Sequence, residues 1–209
     1  MARYEVAPTR TNVIKLKSDL SFAYEGYELL EQKREILVNE LKRFTARAIE
    51  AQKRVDDELA KAYAALREAQ LVTGVSSVSS AARAVNVEPE IALRERRVMG
   101  VGIPAVTLML KDNPPYYGPQ ATSVWTDEAV LRFKGALTAI AVLVESRISV
   151  IRLAREIQKT IRRVNALEKI FIPDYEETLK YVQDALEGFD REAFFILKLV
   201  KDRLEAREG

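Results

Sequence analysis

The sequence predicts an all-α dominated protein, a long antiparallel two-helix coiled coil with a small middle segment that contains a short β-hairpin. Three observations carry this. Apolar residues recur at alternating steps of three and four through two long stretches. Those stretches hold almost no Pro or Gly and alternate Glu with Lys and Arg. Between them, Thr73 to Thr126 collects Ser76, Ser77, Ser79 and Ser80 and most of the prolines. The organisation follows as residues 1–72 for the N-terminal helix, 73–126 for the middle segment and 127–209 for the C-terminal helix.

In the first helix the apolar seam runs from Val13 through Leu16, Leu20, Ala23, Tyr27 and Leu30, then Leu37, Leu41, Phe44, Ala48, Ala51 and Val55 to Val72. Only Arg34 and Glu58 break it. At 1.5 Å per residue this helix is roughly 90 Å long and the second roughly 110 Å. The middle segment predicts a short helix around Ser80 to Val85. Strands follow at Arg96 to Val101 and Ala105 to Leu110, joined by Gly102, Ile103 and Pro104. The turn-rich run after them places Tyr116 and Tyr117 in a loop, where they pack on the hairpin or contact a partner.

The second seam runs Ala129, Phe133, Ala136, Ile140, Leu143, Arg147, Val150, Ala154, Ile157, Ile161, Val164, Glu168, Phe171, Tyr175, Thr178, Val182 and onward to Arg203. Pro173 removes a backbone donor inside this helix, yet the seam keeps its step, which predicts a kink in one helix rather than a break. If Val72 faces Ala129, Arg34 shares a layer with Glu168 and Arg10 with Glu192, and Glu58 lies one turn from Arg147. Opposite charges then meet at every charged seam position of the first helix, and a register that buried one alone would be penalised.

Composition excludes much chemistry. The 209 residues contain no Cys and no His, so thiolate nucleophiles, His-based triads and the usual zinc ligand sets are absent. A net charge of +2 is far from the basic excess of a nucleic-acid binder. No Walker A pattern, GxGxxG or metal-ligand spacing occurs, so no cofactor, metal or catalytic residue is expected. The N-terminus lacks the apolar core of a signal peptide, and the run Ala136 to Val144 is about half a membrane span, so no direct membrane insertion is expected.

Two features invite partners. Arg152, Arg155, Lys159, Arg162 and Arg163 recur at helical spacing as a basic stripe, suited to solvent, an acidic protein, an anionic membrane or nucleic acid. Beyond Phe189 the register leaves the second helix without the first. That stretch keeps Phe194, Phe195, Ile196, Leu197, Leu199 and Val200 beside Arg191, Lys198, Lys201 and Arg203.

The run Ala7-Pro8-Thr9-Arg10-Thr11-Asn12, with Leu30 and Lys33-Arg34-Glu35, resembles the D subunit of the V-type and archaeal A-type ATPases and ATP synthases. So do Thr160-Ile161-Arg162-Arg163-Val164-Asn165-Ala166-Leu167-Glu168-Lys169, Ile172-Pro173 and Leu204-Glu205-Ala206-Arg207, of which the RRVNALE stretch is the most specific. The resemblance covers the two helical thirds and leaves the middle segment unmatched. It implies a non-catalytic central rotor shaft on the cytoplasmic side of the membrane, peripheral to a membrane complex. The implied partners are the catalytic A and B subunits of a hexameric head, the small F subunit of the central stalk and a funnel-like subunit on the membrane rotor ring. Arg191, Phe195, Lys198, Lys201 and Arg203 are then the candidates for the head. Arg152, Arg155, Lys159, Arg162 and Arg163 are those for the stalk partner. A rival reading of the helices and stripe is a coiled-coil tethering or anionic-membrane-binding module.

Overall fold

The computed structural model describes residue 4, residues 6–118 and residues 122–208. Helix α1 spans Arg10–Thr73, α2 spans Val75–Ala84, strands β1 and β2 span Val87–Val98 and Val101–Asp112, and α3 spans Val124–Ala166. A π turn at Leu167–Phe171 leads into α4, Ile172–Glu208. The chain forms two compact units, one from the chain up to Glu35 together with Gln158 onward, the other from Ile36 to Ile157. Both cut across the long helices, which explains why composition alone does not mark them.

Helix α1 begins where Thr9 caps it: the Thr9 hydroxyl accepts the Asn12 backbone N–H at 3.2 Å, and the Thr9 carbonyl accepts that of Val13 at 3.1 Å. Every fully buried residue of α1, from Leu16 and Ala23 to Ala65 and Ala69, is a member of the predicted seam. The seam ends one step early, because Val72 is exposed.

In the unit that holds the chain ends, α1 and α4 run antiparallel. Tyr24 donates to Glu176 at 2.6 Å, and Arg10 bridges to Asp190 at 3.2 Å. Thr178 and Val182 are fully buried, with Val164 and Ile172 close to it. Ahead of α1, Tyr4 meets α4: its ring lies 5.1 Å from Tyr175, and its N–H donates to the Thr178 hydroxyl at 3.2 Å. Thr178 donates its own proton to the Asp174 carbonyl at 2.6 Å, so a polar atom at the centre of the packing is satisfied on both sides. Burial and the neighbouring Tyr175 and Asp174 raise the Tyr4 pKa.

Pro173 is absorbed by the π turn. The Ile172 N–H reaches the Leu167 carbonyl, five residues back, so the helix widens immediately before the residue that lacks a donor. The predicted unbroken seam is corrected here: Phe171 is exposed and Ile172 is buried in its place, a slip of one residue, after which Thr178 and Val182 resume the step. Glu168, on the π turn, is exposed.

In the other unit the remainder of α1 runs antiparallel to α3. Ala51, Val55 and Leu143 form a core with Leu59, Ala139 and Ile140 against it, and Tyr63 meets Phe133 edge-on at 5.5 Å. Along α3 a second correction appears. Ser146, Ser149 and Leu153 are buried, each one position before the predicted seam members Arg147, Val150 and Ala154. Arg147 is exposed and donates to Gln52 at 3.1 Å, so it is no seam charge, and Glu58 bonds to Lys61 on its own helix at 2.9 Å. Lys61 also holds the Glu58 carboxyl below its ordinary pKa.

The hairpin is longer than predicted and turns elsewhere. Val98 pairs with Val101, so the turn is the two residues Met99 and Gly100, with φ of 48° and 82°. Two positive φ values make a type I′ turn, which matches the twist of the strands. Gly102, Ile103 and Pro104, expected as the turn, lie inside β2. With the Val98 and Val101 pair closing the ladder, Pro89 and Pro104 both fall at positions whose N–H would point away from the other strand, so neither ring costs a ladder bond. The predicted helix at Ser80 to Val85 starts earlier, at Val75.

Candidate partner-binding surfaces

The free edge of β2 is held on α3 by side chains. Glu145 accepts the Val106 N–H at 2.8 Å, and Arg152 donates to the Gly102 carbonyl at 2.8 Å while lying 3.9 Å from Glu95. A carboxylate and a guanidinium thus satisfy the edge groups that a third strand would otherwise take. At the far end of the hairpin, Lys134 bonds Asp112 and the Tyr116 hydroxyl. Tyr117 donates to Asp127 at 2.7 Å, and burial, then that bond, pushes its pKa up to about 12. The two tyrosines therefore anchor the loop to α3 and the hairpin end.

Arg152, one of the predicted stripe residues, is thus committed to the hairpin. Arg155, in the same unit, is exposed on α3. Lys159, Arg162 and Arg163, in the other unit, are also exposed. Three or four residues separate Lys159 from Arg162 and Arg163, so within that unit they project from one side of the helix.

Arg34 pairs with Glu31 on its own helix, and Arg10 pairs with Asp190 instead of Glu192. Past Asp190, no other element covers α4 among the described residues. Every residue from Phe189 to Arg203 is exposed, including Arg191, Phe195, Lys198, Lys201 and Arg203, and Phe194 and Phe195 show 70% and 67% of their surfaces. Arg191 bridges to Glu187 at 3.2 Å, one turn back. Two phenylalanines with Ile196, Leu197, Leu199 and Val200 exposed along one helix make an apolar surface of the kind ordinarily covered by a partner.

A sequence model described as the D subunit of ATP synthase matches residues 12–202. The chain belongs to the ATP synthase D-subunit family. It is 37% identical over 199 residues to the D subunit of the V-type ATP synthase of Thermotoga neapolitana, covering 95% of this chain and 98% of that one. Against the D subunit of the A-type ATP synthase of Pyrococcus furiosus it is 37% identical over 208 residues, covering 98% and 97%. Family membership therefore extends through the middle segment, whose sequence carries no motif of its own. Among the described residues of this family member, no helix is long and apolar enough to cross a membrane.

Two functional candidates have no clear sequence signal. Glu145 interrupts an apolar stretch of α3, and nothing in that pattern marks it as the cap of a strand edge. The free edge of β1 is hidden because the strand pattern is recognisable only from Arg96 onward.

Proposed function

We propose that this chain is the non-catalytic central rotor shaft of a rotary A/V-type ATPase or ATP synthase, transmitting torque between the ATP-turning catalytic head and the ion-translocating membrane ring. Family membership over residues 12–202 carries the reading. The lone end of α4 gives it a mechanism. A shaft that turns inside a head must make contacts that differ by only a few kcal/mol between orientations, so that rotation and nucleotide occupancy form one linked equilibrium. The α4 end supplies apolar contact area, and Arg191, Lys198, Lys201 and Arg203 supply charges that exchange between acidic positions on the A and B subunits. Arg155, Lys159, Arg162 and Arg163 serve the central stalk, with the small F subunit and the funnel-like subunit as the partners, on the cytoplasmic side of the membrane.

The test is a truncation removing Phe195 to Gly209, reconstituted with the head and stalk subunits. The described part of this segment is exposed, so the shortened chain should keep the thermal stability of the parent while rotation-coupled ATP turnover falls and binding of the small F subunit survives. Loss of that binding with coupled turnover intact would refute the assignment of this end to the head.

A further inference from the structure

Among the described residues, strand β1 has one partner, β2, and its other edge is open. Its ten residues from Glu88 to Arg97 are all exposed, and Val87 and Val98 are half-buried. The ladder fixes which groups line that edge. Because Val98 and Val101 close the hairpin, the N–H and C=O groups of Val87, Ile91, Leu93, Glu95 and Arg97, and the carbonyl of Pro89, point away from β2. Unlike β2, this edge has no side chain bonded across it among the described residues.

The strand reads VEPEIALRERRV, with acids in its first half and bases in its second. Laid antiparallel against a copy of itself about Ala92, the strand is self-complementary. Ile91 falls opposite Leu93, Glu90 opposite Arg94 and Glu88 opposite Arg96. In that register the outward groups of Ile91 and Leu93 meet as hydrogen-bonded pairs, so the central bonds form without loss. Pro89 falls opposite Glu95, near the end of the overlap, where its missing donor costs one bond in each half. The Glu and Arg pairs occupy the closely spaced, non-hydrogen-bonded positions, where cross-strand side chains interact best. They sit on one face, the face on which Lys111 already bridges to Glu90 at 2.9 Å. Ile91 and Leu93, 60% and 70% exposed in one chain, join their counterparts on the opposite face.

We propose that the open edge of β1 pairs with the same edge of a second copy of this chain, forming a two-fold, four-stranded antiparallel sheet in the free protein. A register shifted by two residues keeps only one of the two Glu–Arg pairings, Glu90 opposite Arg96 or Glu88 opposite Arg94, and sets the remaining charges against Ala92 or Val98, so charge pairing favours the register about Ala92. Strand pairing buries less than a standard interface, so the dimer is weak and concentration-dependent, and it loosens with salt. The inference concerns the unassembled chain and is independent of the rotor reading.

Sedimentation equilibrium of the full chain over about 1–300 μM tests it. Wild type should show a reversible monomer–dimer equilibrium. The double variants Glu88→Arg with Glu90→Arg, and Arg94→Glu with Arg96→Glu, should each raise the dimer Kd at least tenfold. Mixed together they should restore a heterodimer to within about threefold of wild type, because each then presents only charges that the other complements. That rescue also guards against variants that lose dimerisation by misfolding. A wild-type chain that is monomeric throughout would overturn the proposal and leave the edge to a different partner. A dimer unchanged in both charge variants but lost on truncating α4 from Phe195 would also overturn it, assigning association to the apolar helix end.

Discussion

Replacing Arg34 with Ala separates two accounts of a charge inside an apolar seam. Had Arg34 faced Glu168 in a buried layer between helices, its loss would cost about 3 kcal/mol by stranding a carboxylate. In the structure its partner is Glu31, three residues back on α1, with the two side chains 43% and 35% exposed. A half-exposed pair at this spacing contributes about 0.3–0.5 kcal/mol. Glu31 adds to this, since its second carboxylate oxygen is buried without a hydrogen bond, leaving Arg34 as the charge that offsets its desolvation. The expected loss for Arg34→Ala is therefore about 1 kcal/mol, measured as a shift in the urea midpoint at unchanged slope. A double-mutant cycle supplies the sharper reading. Coupling should be about 0.5 kcal/mol between Arg34 and Glu31, and near zero between Arg34 and Glu168. A loss of about 3 kcal/mol, or coupling confined to Glu168, would refute the intrahelical pairing.

Other outcomes follow from local geometry. At the hairpin turn, Met99→Asn should stabilise by about 0.5 kcal/mol and Gly100→Ala destabilise by about 1 kcal/mol, because both positions have positive φ; thermal unfolding with hydrogen exchange in the strands checks both. Tyr117 should hold its proton to about pH 12. A tyrosine released from the fold deprotonates near pH 10, so the folded chain binds more protons between these limits. Stability should fall as pH rises through that window, less steeply in Tyr117→Phe, and tyrosinate absorbance would report the titration directly. Reversing both Arg162 and Arg163 to Glu should weaken binding of a central-stalk partner while circular dichroism stays unchanged, since both are exposed on α3. Unaltered affinity would return this part of the helix to solvent.

The seam of α1 is legible because a residue that must face a partner helix every three or four positions leaves a trace that no loop or strand imitates. The seam of α3 is legible only in part. Near Ser149 and Leu153 the helix is buried on a side to which the hairpin is bonded, through Glu145 and Arg152, and two covered sides blur a single repeat. The hairpin's existence shows in its apolar half. Its extent does not, since β1 is exposed and carries the pattern of a surface strand, and Pro89 argues against a strand at all. Its turn hides behind Met99, a residue with no turn preference, while Gly102 and Pro104 imitate one. A Cβ at Gly102 would meet the carboxylate of Glu95, the flexible end of a side chain, which would have to swing from its place beside Arg152. The exposed aromatic end of α4 is legible from composition together with the register, and the partner proposed for it rests on the resemblance alone.

The π turn at Leu167–Phe171 bears on how this helix tolerates changes in length. Elsewhere in α3 or α4, deleting one residue would rotate everything downstream by about 100° and turn the buried side chains toward solvent. The π turn already contains one residue more than an α turn needs. A single deletion there, combined with replacing Pro173 by a residue that has an N–H, restores ordinary helical bonding with the downstream face in place. Relatives that lack the proline can therefore be one residue shorter at this point and still present the counterparts of Thr178 and Val182 to the first helix.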